Sequence, residues 1–146
     1  MVSELTAREK LLVEGRNDWV KLWEVHRNVA LENTSATLDE VQSKTIDIVR
    51  ALISEGLAEV GELRDHGARF EPWTTTADES ARRLEAEYVD GFNERDGWPW
   101  TLWLRITEEG KRIGDLNESA YRDWLSKIRK QGTEDQALPL KFEPRP

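Results

Sequence analysis

The 146-residue chain has no cysteine, one methionine and two histidines, and nowhere a run of about 18 apolar residues. Without thiols it forms no disulfide, holds no thiolate-bound zinc and offers no cysteine nucleophile, which suits a reducing cytosol. The segment 1–15 scatters acids and bases where a signal peptide would be apolar, so a cytoplasmic protein with no membrane span is expected. Phe and Tyr are scarce, at three and two, but seven tryptophans supply large burial area. Acids outnumber bases 29 to 21, for a net charge of −8. At 38% hydrophobic residues the length suits one core. The expectation is a single domain over 1–132 and an extended, proline-rich tail over 133–146, able to dock through Leu138, Leu140 and Phe142.

Catalytic signatures are missing as well. The chain has no GxSxG elbow, P-loop, GxGxxG or HExxH. His26 falls in an apolar stripe and His66 in a turn, with no cluster of carboxylates and histidines around either. A structural His26 is the expectation, with no enzyme activity, no metal and no cofactor.

Helices are signalled by three capping boxes, Thr6 with Glu9, Thr37 with Glu40, and Thr76 with Glu79. The first opens a short helix that Gly15 stops. A helix over 17–32 carries Trp19, Leu22, Trp23 and Val29 on one face. After the polar break 33–35, a helix over 38–55 carries Val41, Val49 and Leu52, and Gly56 supplies its C-terminal cap. A hairpin follows, with Val60 and Leu63 on one strand, Asp65-His66-Gly67 as the turn and Phe70 on the return. The third box opens a helix running to Gly91 with Ala77, Ala81, Leu84, Tyr88 and Phe92 at helical spacing, followed by a polar loop over 93–97.

Trp98 must begin extended because Pro99 follows it, and alternation from Trp100 to Thr107 predicts a strand. Thr107 caps a short helix. Asn117 caps the last one, whose stripe is Tyr121, Trp124, Leu125 and Ile128, and Gly132 ends it. That helix is a surface through which the chain can form an oligomer. Element order and the lack of a parallel βαβ rhythm give an α+β fold, mostly helical with a small antiparallel sheet.

The run from Trp19 to Ile113 resembles a winged helix. The segment RALISEGLAEVGEL resembles the junction between recognition helix and wing in bacterial regulators, and LRITEEGKRIG resembles their wing-to-helix exit. Asp18-Trp19-Val20, Gly56-Leu57 with Gly61, Phe70 with Trp73, and Trp103-Leu104 with Thr107 and Gly110 are similar to small bacterial proteins known as hypothetical proteins. The resemblance implies a winged-helix-like fold, from which this chain departs by a helix, Ala77 to Phe92, inserted between the wing strands where a simple wing loop would be.

Two functions are expected from these features. Residues 77–97 hold seven acids against three arginines, so the inserted helix and its loop can steer a basic partner. That gives a non-catalytic interaction protein of antitoxin, immunity-factor or adaptor type. Its contact residues would be Glu85, Glu87 and Asp90, with Trp73, Trp98 and Trp103 as aromatic anchors. For Trp73 and Trp98, which flank loops, pinning the insertion to the sheet is the favoured reading over an anchor role, while Trp19, Trp23, Trp100 and Trp124 are expected in the core. The alternative is a DNA-binding transcriptional regulator using Ser43, Lys44, Thr45 and Arg50. The exposed face of that helix mixes Asp39, Glu40 and Asp47 with its two bases, a poor footprint for a polyanion.

Overall fold

Chain order runs α1 (Ala7–Glu14), β1 (Val20–Lys21), α2 (Leu22–Glu32), α3 (Leu38–Ser54), β2 (Ala58–Arg64), β3 (Arg69–Pro72), α4 (Ala77–Leu84), α5 (Trp98–Thr101), β4 (Trp103–Ile106), α6 (Glu108–Leu116) and α7 (Glu118–Gln131). These come from a computed structural model that describes residues 5–32, 35–93 and 98–131. The breaks at Asn33 and Thr34, most of the loop after Asn93, Gly132 and the tail with Leu138, Leu140 and Phe142 lie outside the described residues, as does the side chain of Trp100.

All three capping boxes close. Thr6, Thr37 and Thr76 each accept a hydrogen bond from the N–H three residues on, and the Glu at that position accepts from the threonine N–H. The hairpin turn forms as expected, with Asp65, His66 and Gly67 at φ of 55°, 56° and 86°. Asp and Gly tolerate this left-handed region better than most residues. Four antiparallel strands make one sheet in the order β1-β4-β2-β3, with Val60 opposite Leu104 and Leu63 opposite Phe70. Pro72 sits on edge strand β3, where its missing N–H is harmless.

Three local expectations are corrected. The helix expected over 17–32 begins only at Leu22, because Val20 and Lys21 pair with Leu104 and Trp103 as β1. The strand expected from Trp100 begins at Trp103. Ahead of it Trp98–Thr101 makes one helical turn, and Pro99 fits that first turn because its missing N–H would lack an intrahelical partner there in any case. Asn117 does not cap α7 with its side chain; its Nδ2 donates to the Ile113 carbonyl and closes the end of α6.

Past Leu84 the helix continues as a wider π-helical stretch, Glu85–Asp90, to Gly91. The wider turn keeps Leu84, Tyr88 and Phe92, spaced four apart, on the inward side. They join Leu22, Val25, Leu52, Leu104 and Trp98 in the main core, so the segment between β3 and β4 is an integral part of it. The sheet faces this core with Ala58, Val60, Leu104 and Ile106, as its pleat requires.

Helix α6 lies close to α1 through glycines. A Cβ on Gly114 would stand 2.4 Å from the Leu12 carbonyl oxygen, and one on Gly110 2.4 Å from that of Leu57. Gly114→Ala is therefore expected to lower stability by about 1–3 kcal/mol, because backbone rather than a movable side chain must give way. Thermal denaturation checks this; an unchanged midpoint would refute the close contact. Among the described residues no helix is long and apolar enough to cross a membrane.

Candidate functional site

Helices α3 and α4 run in opposite directions side by side. Arg50, near the end of α3, meets Asp78, near the start of α4, at 2.6 Å. Between them lies an open groove of 610 Å³. Residues at three- and four-step spacing on both helices line it, which is why two regular helices produce one continuous channel. Its floor is half-buried Ile46, Ala81 and Val89 together with buried Gln42.

The rim is charged and exposed. Asp39, Asp47, Asp78 and Glu85 stand against Arg50 and Arg82. Since Asp78 neutralises Arg50, the remaining field comes from Asp39, Asp47 and Glu85 against Arg82 alone, and it is negative. An exposed pair of this kind adds little stability; its effect here is to cancel a cation.

The six residues expected to bind a partner do not form one surface. Glu85 lies on the groove rim and Asp90 is exposed at the end of the π-helical stretch. Glu87 points elsewhere, accepting from Arg83 Nε at 2.7 Å. Arg83 also lies 3.8 Å over the Trp73 ring, so half-buried Trp73 fixes α4 to the end of β3. Trp98 is 1% exposed, with its Nε1 donating to the Phe92 carbonyl at 3.1 Å. Its expected role as a surface anchor is corrected: it packs inside. Trp103 lies on the sheet face turned away from the core, on the same side as Lys21 and Arg105, and apart from the groove.

Among the residues expected to touch DNA, Thr45 is fully buried and its hydroxyl donates to the Val41 carbonyl, so it cannot read a base. Ser43 is exposed, while Lys44 pairs with Glu32 and Arg50 with Asp78. The cations of this helix face are each held by an acid from a neighbouring element.

The tryptophans expected in the core are displaced outward. Trp19, Trp23 and Trp124 are each half-buried, because β1 takes Trp19 off the helix and α7 lies on the outside of the fold. His26 is fully buried, and its Nδ1 is hydrogen-bonded to the Tyr88 hydroxyl. Burial holds the Tyr88 phenol far above its ordinary pKa, so it stays protonated. Among the described residues no group of three His, Cys, Asp or Glu is placed to hold a metal ion.

Sequence reasoning missed Gln42. The available signal was its spacing, four residues from both Leu38 and Ile46 on the inward side of α3. It also missed a polar cluster where α1, α2 and α7 converge. There Glu14 accepts from Asn28 Nδ2 at 2.8 Å and from the Tyr121 hydroxyl at 2.7 Å, while buried Lys10 lies 4.0 Å over the Trp124 ring. Burial raises the carboxyl pKa of both Glu14 and Glu24. Comparison with family models, curated proteins and solved structures finds no match for this chain.

Proposed function

We propose that the chain is a non-catalytic recognition protein on a winged-helix-like scaffold, binding a basic protein partner through the surface that α4 and α3 share. Helices α1 to α3 leading into β2, with β4 returning beside it and α4 lying between β3 and β4, support the scaffold reading. The observation that carries the function is electrostatic. The third helix, which a DNA-binding relative would offer to the groove of a duplex, has its cations tied to Glu32 and Asp78 and lies beside an acidic rim. A polyanion gains few phosphate contacts there and meets carboxylates, whereas a cationic protein surface is attracted.

Purifying the intact chain from its native host, in parallel with a Glu85→Lys/Asp90→Lys variant, tests the proposal. Both residues are exposed, so the variant keeps its fold. The expected result is a cationic protein retained by the parent chain and bound at least roughly tenfold more weakly by the variant, with the difference shrinking at high salt. Recovery of nucleic acid alone, held equally by both, would overturn it.

A further inference from the structure

On its flank towards α1 and α2, helix α3 borders a second groove, of 740 Å³, closed by Arg8 of α1, Val29 of α2 and Ala36 ahead of its own first turn. The floor is apolar, with buried Val29 and Val41 and half-buried Ala36, Ile48 and Ala51. Exposed Asp39, Glu40 and Asp47 stand on the rim, where the cations Arg8 and Lys44 are already held by Glu55 and Glu32. An occupant that fits both features has apolar side chains on one side and a cation on the other.

The chain carries such a segment. In Leu138-Pro139-Leu140-Lys141-Phe142 the apolar residues fall at every second position around the proline. An extended backbone therefore turns Leu138, Leu140 and Phe142 to one side and Lys141 to the other, and Pro139 favours that extended form in the residue before it. Extended, residues 138–142 span about 13 Å, inside the roughly 18 Å of α3 that lines the groove from Asp39 to Ala51. The place where α7 ends brings the segment within reach. Helix α7 runs antiparallel to α1, since Tyr121 donates to Glu14 at the end of α1 while Trp124 lies over Lys10 one turn earlier. Its last residue, Gln131, is thus carried towards the start of α1. There the Ala7 N–H donates to Glu32 at the end of α2, and Glu32 meets Lys44 on the groove rim. Residues 132–137 cover up to about 20 Å when extended, the width of roughly two packed helices.

We propose that this groove is covered by the chain's own residues 138–142, with Leu138, Leu140 and Phe142 on the floor and Lys141 beside the acids of the rim. The tether holds the segment at a local concentration of about millimolar, so a contact too weak to retain the same sequence as a free peptide keeps the groove covered. Asp39, Ser43 and Asp47 line both flanks of α3, so a seated segment also sets Lys141 next to acids of the α3–α4 groove. The contact is one of the chain with itself and stands whether or not the basic-partner reading holds.

The chain has no cysteine, so Glu143→Cys gives a single attachment point for a nitroxide in the ¹⁵N-labelled full-length protein. The expected result is loss of the backbone amide signals of Ala36, Ile48 and Ala51, with those of Lys21 and Trp103 on the outward face of the sheet retained and every signal restored when the nitroxide is reduced. The same label in a chain that also carries Leu140→Asp and Phe142→Asp should leave the groove signals at full intensity, and unchanged signals from β2 and β4 verify its fold. Retained groove signals in the labelled parent, or an equal loss in the Asp variant, would overturn the proposal. Mixing ¹⁵N-labelled chain without nitroxide with nitroxide-bearing chain at natural isotope abundance should leave the groove signals intact. Their loss in that mixture would mean that the segment of a second copy fills the groove, and the assignment to the chain's own segment would fail.

Discussion

Replacing Trp98 with alanine is expected to lower the free energy of unfolding by about 3–5 kcal/mol. The indole is 1% exposed, stacks on Phe92 with centroids 5.4 Å apart and meets Tyr88 edge-on at 4.6 Å. Truncation removes those contacts, leaves a cavity between α2 and the π-helical stretch, and strips the Phe92 carbonyl of the Nε1 donor. The surrounding rings of Trp23 and His26 are held from their own helix and cannot collapse fully into the space. Urea titration measures the loss. A loss below about 1 kcal/mol would mean that the ring does not complete the core. The same experiment separates packing from recognition: as a core residue, Trp98 should alter partner binding only through the fraction of chain that is folded.

Removing the Glu14 carboxylate should cost about 2–4 kcal/mol, since Glu14→Ala takes the acceptor from Asn28, which is 1% exposed, and from Tyr121, and so loosens α7 from α1 and α2. Its pH dependence has a definite sign. Burial raises the Glu14 carboxyl above its ordinary value of 4.5, and burial followed by the charge of Glu14 does the same to Glu24. Between the ordinary and the raised value the folded chain therefore binds more protons than the unfolded one. Stability from these two groups is fully present below about 4.5 and falls as pH rises through that window. Glu14→Gln, which keeps an acceptor and carries no charge, should gain stability relative to the parent as pH rises from about 4 towards 7. Paired urea titrations across that range check it, and a parallel pair of curves would refute the buried-charge argument. Glu55 and Glu118 have lowered carboxyl values through hydrogen bonds from Arg8 and Arg16, so their contribution is lost only as pH falls below the ordinary range, outside this window.

Expectation and structure agree at the capping boxes and the hairpin turn, where the partners lie within a few residues, and part where pairing is distant or a local signal was misread. Thr6 with Glu9, Thr37 with Glu40 and Thr76 with Glu79 were legible because both partners of each box lie three residues apart, and so was the turn at Asp65 to Gly67. Strand β1 was not. Two residues have no period, and only pairing with Leu104 and Trp103 makes Val20 and Lys21 a strand. Pro99 was read as a bar to helix when it fits the first turn of one, which moved the start of β4 from Trp100 to Trp103. In the candidate site, the acidity of the α4 segment and the mixed charge along α3 were visible in the chain. Gln42 was overlooked because its residue type is polar, although its four-residue spacing from Leu38 and Ile46 put it on the inward side of α3.

The sequence by itself determined an acidic α+β chain without thiols, the helix starts at its three capping boxes, its hairpin turn and the charge surplus that follows β3, since each of these depends on composition or on neighbours a few residues away. Only the tertiary structure decided that Trp98 is core, that Glu32 and Asp78 cancel Lys44 and Arg50, that Glu14 binds α7 to the helices beneath it, and that Gln42 is buried beneath an acidic groove. Burial and pairing are properties of segments brought together from distant parts of the chain, and residue type alone does not say which segments those will be.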